Sequence, residues 1–143
     1  MKKLYFLLTS LIILSASNLF ADDFVVPPSA LPANATGFIK KVFPDAQIFK
    51  VEKDGRKFDV KLSNGVSIDF LFNGDWENID SEYTPIPDAA FPPAVIKAVK
   101  SAYPQAAIID AEKEWGNYKL KLNNMMEIMV TGNGQIMGQQ FDD

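Results

Sequence analysis

Lys57-Phe58-Asp59-Val60-Lys61-Leu62-Ser63-Asn64-Gly65-Val66-Ser67-Ile68-Asp69-Phe70 alternates apolar and polar residues on both sides of an Asn-Gly pair. Alternation at period two marks a strand with one buried side. Asn-Gly marks a tight reversal, because both residues tolerate positive φ. The stretch therefore reads as a β-hairpin. Sixty residues on, Asn117-Tyr118-Lys119-Leu120-Lys121-Leu122-Asn123-Asn124-Met125-Met126-Glu127-Ile128-Met129-Val130 repeats it.

The repeat extends well beyond the hairpin. Pro32–Glu77 aligns with Pro92–Met137 without a gap, with thirteen identical positions in forty-six. Identities include Pro44/Pro104, Glu52-Lys53/Glu112-Lys113, Asn64/Asn124 and Asn73-Gly74/Asn133-Gly134. A fixed internal period signals a duplicated supersecondary unit.

Each copy opens on a helical pattern. Ala94, Val95, Ile96, Ala98, Val99 and Ala102 recur at helical spacing between Pro92-Pro93 and Tyr103-Pro104, and proline suits the start and the end of a helix. In the first copy Ala35, Phe38, Ile39 and Val42 share a face interrupted by Gly37, which predicts the weaker helix. Four strands follow: Ile48–Glu52, Lys57–Leu62, Val66–Phe72 and Asp75–Ile79, then Ile108–Glu112, Tyr118–Leu122, Met126–Val130 and Gln135–Met137.

Alternation assigns the faces. Phe58, Val60, Leu62, Val66, Ile68, Phe70 and Phe72, with Tyr118, Leu120, Leu122, Met126, Ile128 and Val130, point to the helices. The expected fold class is α+β: tandem helix-plus-four-strand repeats forming a mostly antiparallel sheet, with helices packed on one face. The expected domains are a signal peptide over 1–21 and a single domain over 22–143, its repeats (32–80 and 92–138) joined by a Pro-containing connection. Ile86 and Phe91 of that connection are expected to tuck under the second helix.

These residues carry a family resemblance. Phe43-Pro44-x-Ala46-x-Ile48, Val51-Glu52, Phe58-x-Val60-x-Leu62, Asn64-Gly65-x-x-Ile68-x-Phe70 and Asn73-Gly74-x-Trp76 resemble the PepSY-like exported proteins of bacteria. The second copy echoes them at Tyr103-Pro104-x-Ala106, Tyr118-x-Leu120-x-Leu122 and Asn133-Gly134-x-Ile136. The resemblance implies a plan similar to the β-lactamase-inhibitor proteins, in which a curved sheet grips a protein partner. Trp76 against Ile136, and Gly65 against Met125, are places where the copies diverge.

Met1-Lys2-Lys3, the apolar run Leu4–Ala16 and the small-residue site ending at Ala21 read as a secretory signal peptide, giving a periplasmic or secreted product. The apolar run is shorter than the roughly eighteen residues of a spanning helix, so no stable membrane anchor is expected after cleavage. Without Lys2 and Lys3 the chain keeps 12 basic and 18 acidic residues, a net charge of −6. Such a balance argues against nucleic acid as a partner. Without cysteine, stability must come from the core and not from disulfides.

Catalysis has little material. The chain has neither His nor Cys, which removes the commonest general base, thiol nucleophile and nitrogen or sulfur metal ligands. Asp59 and Asp69 on neighbouring strands are a conceivable acid–base pair, but carboxylates alternating with lysines are ordinary on a solvated sheet face. Asp75, Glu77, Asp80 and Glu82 raise calcium; their spacing is not that of an EF-hand, and the preferred reading is an acidic sheet edge that discourages strand addition. No enzyme activity, cofactor or metal is expected.

The expected function is an exported non-enzymatic binding module, binding or inhibiting a protein partner such as a peptidase or cell-envelope enzyme through the open sheet face. A small-ligand or divalent-cation-binding periplasmic protein is the alternative. Candidate contacts are Trp115, Lys119, Lys121, Asp59, Lys61, Asp69, Glu127 and Met129. Trp115 leads because it falls in a turn, and tryptophan is enriched at interface hot spots. Met125 and Met129 offer adaptable apolar surface nearby, whereas Trp76 is expected in the core. Intact-mass analysis of the exported protein should give an N-terminus at Asp22; a product that retains Lys2 and Lys3 would contradict cleavage.

Overall fold

A computed structural model describes residues 23–142, so the expected signal peptide and its cleavage site lie outside the described residues. Strand β1 (Phe24–Val26) precedes helix α1 (Ala33–Val42) and strands β2 (Ile48–Asp54), β3 (Lys57–Leu62), β4 (Ser67–Phe70) and β5 (Trp76–Asp80). Helix α2 (Pro93–Ala102) then leads into β6 (Ile108–Glu114), β7 (Asn117–Leu122), β8 (Met126–Thr131) and β9 (Ile136–Phe141). Among the described residues the fold is α+β, with two α-helices and one open nine-stranded sheet in sequential order, every neighbouring pair antiparallel.

Local chemistry sets the helix ends. Pro32 and Pro92 occupy the N-cap positions, and the Phe43 and Tyr103 N–H groups close the last turns on Ile39 and Val99 C=O at 2.8 Å. Pro44 and Pro104 follow and cannot extend a helix. Ala35, Ile39 and Val42 in α1, with Val95 and Val99 in α2, form buried stripes at helical spacing. They join Phe58, Val60, Leu62, Ile68, Phe70, Ile79, Leu120, Leu122, Ile128 and Val130 in one core.

Two turn glycines seat the helices. A Cβ on Gly134 (φ +86°) would stand 2.5 Å from Ala94 C=O, and one on Gly74 (φ +86°) would overlap the Asn34 carboxamide. Asn34 Nδ2 donates to Asn73 C=O at 2.8 Å across the same contact. The two Asn-Gly pairs therefore reverse the chain and also admit each helix N-terminus close to a turn.

Trp76 is the largest link between the halves. Its ring lies 6.2 Å from Phe38 of α1, 5.9 Å from Phe91 before α2 and 5.9 Å from Tyr118 of β7. Phe38 also meets Phe70 edge-on at 6.0 Å. Lys113 Nζ covers the Trp76 ring at 4.4 Å. Nearby, the chain leaves the sheet at Ser81, whose buried hydroxyl shares its one proton between Ile109 C=O at 2.7 Å and Thr84 C=O. Ile86 and Phe91 are both buried in the core.

Several strand limits differ from the sequence reading. β4 ends at Phe70, and Phe72 is exposed in the following turn with the Arg56 guanidinium 4.3 Å from its ring. Alternation continued into a turn had assigned Phe72 to the core. Asp75, Glu77, Asp80 and Glu82 are not an acidic edge, because β5 is the central strand, paired with β4 and β6. The edges are β1, absent from the sequence reading, and β9, which extends to Phe141. Register shifts near Phe49, Glu77, Ile109 and Met137 mark bulges that interrupt strict alternation.

The two tryptophans should separate in a stability assay. Trp76→Ala is expected to cost about 3–5 kcal/mol, the range for emptying a large aromatic site. Trp115→Ala should stay within about 0.5 kcal/mol, as for exposed positions generally. Urea unfolding followed by circular dichroism measures both, and similar costs would contradict the hub.

Candidate functional site

The sheet face turned away from the helices carries two cross-strand rows. One runs Val25, Glu52, Asp59, Asp69, Asn78, Glu112, Lys119, Met129, Gly138. The other runs Lys50, Lys61, Ser67, Asp80, Asp110, Lys121, Glu127, Gln140. Side chains on both rows are half-buried to exposed, unlike the inward rows. No cation lies on the outer face of β4, β5 or β6 in either row. A carboxylate stripe thus runs down the centre, bordered by Lys50 and Lys61 on one flank and Lys119 and Lys121 on the other.

The stripe is electrostatically strained. Asp59 faces Asp69 directly across β3 and β4. Burial, then the Glu52 carboxylate, pushes the Asp59 carboxyl above its ordinary range; burial, then Asp59 and Glu77, does the same to Asp69. Asp59 Oδ1 is buried and accepts no hydrogen bond from a described residue. At the seam Asp80 faces Asp110, and burial followed by the Asp80 charge raises Asp110 to about 6. Like charges set opposite each other destabilise a sheet unless something neutralises them.

Seven of the eight candidate contacts lie on these two rows, but not in one cluster. Asp59, Lys61 and Asp69 occupy β3 and β4; Lys119, Lys121, Glu127 and Met129 occupy β7 and β8. Neighbouring strands stand roughly 4.8 Å apart, so Asp59 and Lys119 are roughly 19 Å from each other. Lys119 Nζ sits 3.9 Å from both Glu112 and Glu127, and Lys121 pairs with Asp142. Glu127 also accepts from Gln140 Nε2 at 2.7 Å.

Trp115 stands apart from that face. It forms the tip of the β6–β7 hairpin with Gly116, at φ +53° and 94% exposed. Positive φ is uncommon for a bulky residue, and the turn holds this ring out in solvent. Together with Leu71, Asp75, Trp76, Glu77, Lys113 and Glu114 it lines a cleft of about 470 Å³. Lys113 is half-buried there, and burial lowers its pKa.

Sequence reasoning overlooked Glu52, Asp80, Asp110 and Glu112 as members of the outer face. The signal was present: each flanks an inward Val51, Ile79 or Ala111 at period two. Among the described residues no three Asp, Glu, His or Cys side chains are grouped to hold a metal ion.

Asp110 supplies a pH test with a defined sign. Its folded pKa lies above the ordinary 3.8, so protonated Asp110 favours the folded chain. That contribution is full below about pH 4 and is lost as pH rises through about 6. Asp110→Asn is therefore expected to stabilise the protein at pH 7, by about 1 kcal/mol after discounting for partial exposure. The gain should disappear near pH 4, and equal gains at both pH values would show that ionisation is not the cause.

The same architecture recurs in solved structures. A putative periplasmic protein from Bacteroides vulgatus is 28% identical with a TM-score of 0.76, covering 83% of this chain and 97% of its own. A putative calcium-regulated periplasmic protein from Bacteroides thetaiotaomicron is 27% identical with a TM-score of 0.77, at the same coverages. A second putative periplasmic protein of unknown function from Bacteroides vulgatus is 28% identical with a TM-score of 0.73, covering 83% of this chain and 99% of its own. No curated protein matches the sequence. The family model described as "Putative beta-lactamase-inhibitor-like, PepSY-like" matches residues 21–73 and 56–138, and the chain belongs to this PepSY-like family.

Proposed function

We propose that this protein is an exported, non-enzymatic binding module whose open sheet face and β6–β7 hairpin tip hold a protein partner with a basic surface. The carboxylate stripe on β4–β6 carries this reading. Asp69, Asp80, Asp110 and Glu112 stand there without a lysine on the same three strands' outer face. The raised pKa values of Asp69 and Asp110 mean that charge is held there at a cost in the free protein. Lysine or arginine groups brought by a partner would relieve that cost, and such complementarity steers association.

Trp115 adds an apolar anchor at the rim, of the kind that dominates interface energetics. The bordering Lys119 and Lys121 would then select against basic groups placed off the stripe. Export to the periplasm agrees with the signal-like residues 1–21 and with the description of the Bacteroides structures. We read the chain as two copies of a helix-plus-four-strand unit, 32–80 and 92–138, whose sheets merge to make the platform. The family description, β-lactamase-inhibitor-like, favours inhibition as the form of binding, and a peptidase or cell-envelope enzyme is the target we propose.

Divalent-cation binding is the second reading, favoured by the name of the Bacteroides thetaiotaomicron relative and by the unbonded Asp59 Oδ1. Calorimetry with Ca²⁺ distinguishes the two, since cation binding gives heat without any protein partner. Capture from periplasmic extract tests the main reading directly. Asp69→Asn with Asp110→Asn, and separately Trp115→Ala, should each lower capture about tenfold or more. Raising the salt concentration should weaken capture by the unaltered protein. Undiminished capture by both variants would remove the face and the tip from the interface.

A further inference from the structure

The two ends of the sheet are guarded differently. β1 is three residues long and runs into Pro27 and Pro28. Short length and proline both hinder strand addition. β9 at the opposite end runs six residues, and of the strands longer than three residues it alone carries no charged side chain. Nothing among the described residues pairs with its outer edge.

Hydrogen bonding shows which backbone groups that edge presents. Asp142 N–H donates to Met125 C=O at 2.8 Å, beyond the Met126↔Phe141 pair. Bonded and non-bonded pairs alternate along an antiparallel ladder, so Gly138 and Gln140 turn their backbone toward β8. The N–H and C=O of Gln139 and Phe141 consequently face outward. Beside them lies a cavity of about 390 Å³ lined by Glu127, Met129, Met137, Gly138, Gln139 and Gln140. A Cβ on Gly138 would meet no atom within 4 Å.

We propose that β9 is a self-association edge: two copies of this chain pair β9 to β9, antiparallel, about a two-fold axis at Gln139, continuing one sheet through both. The register follows from the outward groups. An axis on Gln139 lets that residue exchange two backbone hydrogen bonds with its own counterpart. The same axis sets Gln140 of each copy opposite Gly138 of the other, so the long outer-face side chain covers the bare position. This match is self-complementary, as a two-fold interface requires.

Charge also favours a second copy at this place. Two chains of net negative charge repel over most of their surfaces, whereas Ile136–Phe141 is neutral. Among the described residues the nearest acids are already engaged, Asp142 by Lys121 and Glu127 by Gln140. The association uses neither the carboxylate stripe nor Trp115, so it stands independently of the function proposed above.

Sedimentation of the protein purified from periplasmic extract, from micromolar to sub-millimolar concentration, tests this. The unaltered protein should rise from the mass of one chain to twice that mass. Gly138→Lys places a charge at the edge where the structure has room, and Gln139→Pro removes an N–H that β8 does not use. Both variants should remain at the mass of one chain with thermal unfolding close to that of the unaltered protein. A single-chain mass for the unaltered protein throughout would overturn the proposal. Doubling that persists in Gly138→Lys would also overturn it, and that variant decides if Gln139→Pro does not fold.

Discussion

The packing of Trp76 against Phe38, Phe91 and Tyr118 is the contact on which the rest of the structure depends. A helix and a few strands have little apolar surface to bury alone, and small units are correspondingly marginal. Only three residue pairs, Asn78↔Glu112, Ile79↔Ala111 and Asp80↔Asp110, join the halves along the β5–β6 ladder, and the last sets two carboxylates face to face. The aromatic cluster supplies the apolar burial that this narrow seam lacks. Trp76 receives ring contacts from α1, from the segment before α2 and from β7, so one side chain ties both helix-bearing halves to the same core.

Position also explains why the repeats differ there. Sixty residues after Trp76 stands Ile136, which opens the edge strand β9 and is only partly buried. A tryptophan can be covered on all sides in the middle of the sheet, where two halves meet. At the edge no second half exists to cover it, and a smaller aliphatic residue suffices. The exposed Trp115 has the opposite setting, at a hairpin tip under a left-handed backbone. Identical chemistry thus stabilises the core in one place and leaves an exposed ring in another.

The outer face shows how a meander concentrates charge. Each strand contributes a few outward residues, and antiparallel register aligns them into rows across the sheet. Lysines of both rows fall on the flanking strands alone, whereas the central strands carry carboxylates without them, although neither sign is clustered along the chain. Partial burial then raises Asp59, Asp69 and Asp110 above the ordinary carboxylate range. A surface that holds such groups near one another has stored a preference for cations, and this property underlies the partner chemistry inferred above.

Much of this was legible in the residues themselves. The sixty-residue period, the Asn-Gly turns and the period-two alternation of Phe58–Leu62 and Tyr118–Leu122 identify the α+β class, the antiparallel pairing and the inward rows, because these depend on local backbone preferences and on one-sided burial. α1 follows Ala33–Val42 as its helical spacing and flanking prolines predict. Phe72, β1, the length of β9 and the central placing of Asp75–Asp80 were not legible, since alternation does not say where a strand stops or which strand lies at an edge. Lys119, Lys121, Glu127 and Met129 could be placed outward from sequence, but their separation from Asp59 and Asp69 by the width of several strands could not. By itself the sequence determined the fold class and the sidedness of the strands. Strand order, the Trp76 hub and the carboxylate stripe were decided by tertiary structure, because they arise from contacts between residues far apart in the chain, which no local pattern encodes.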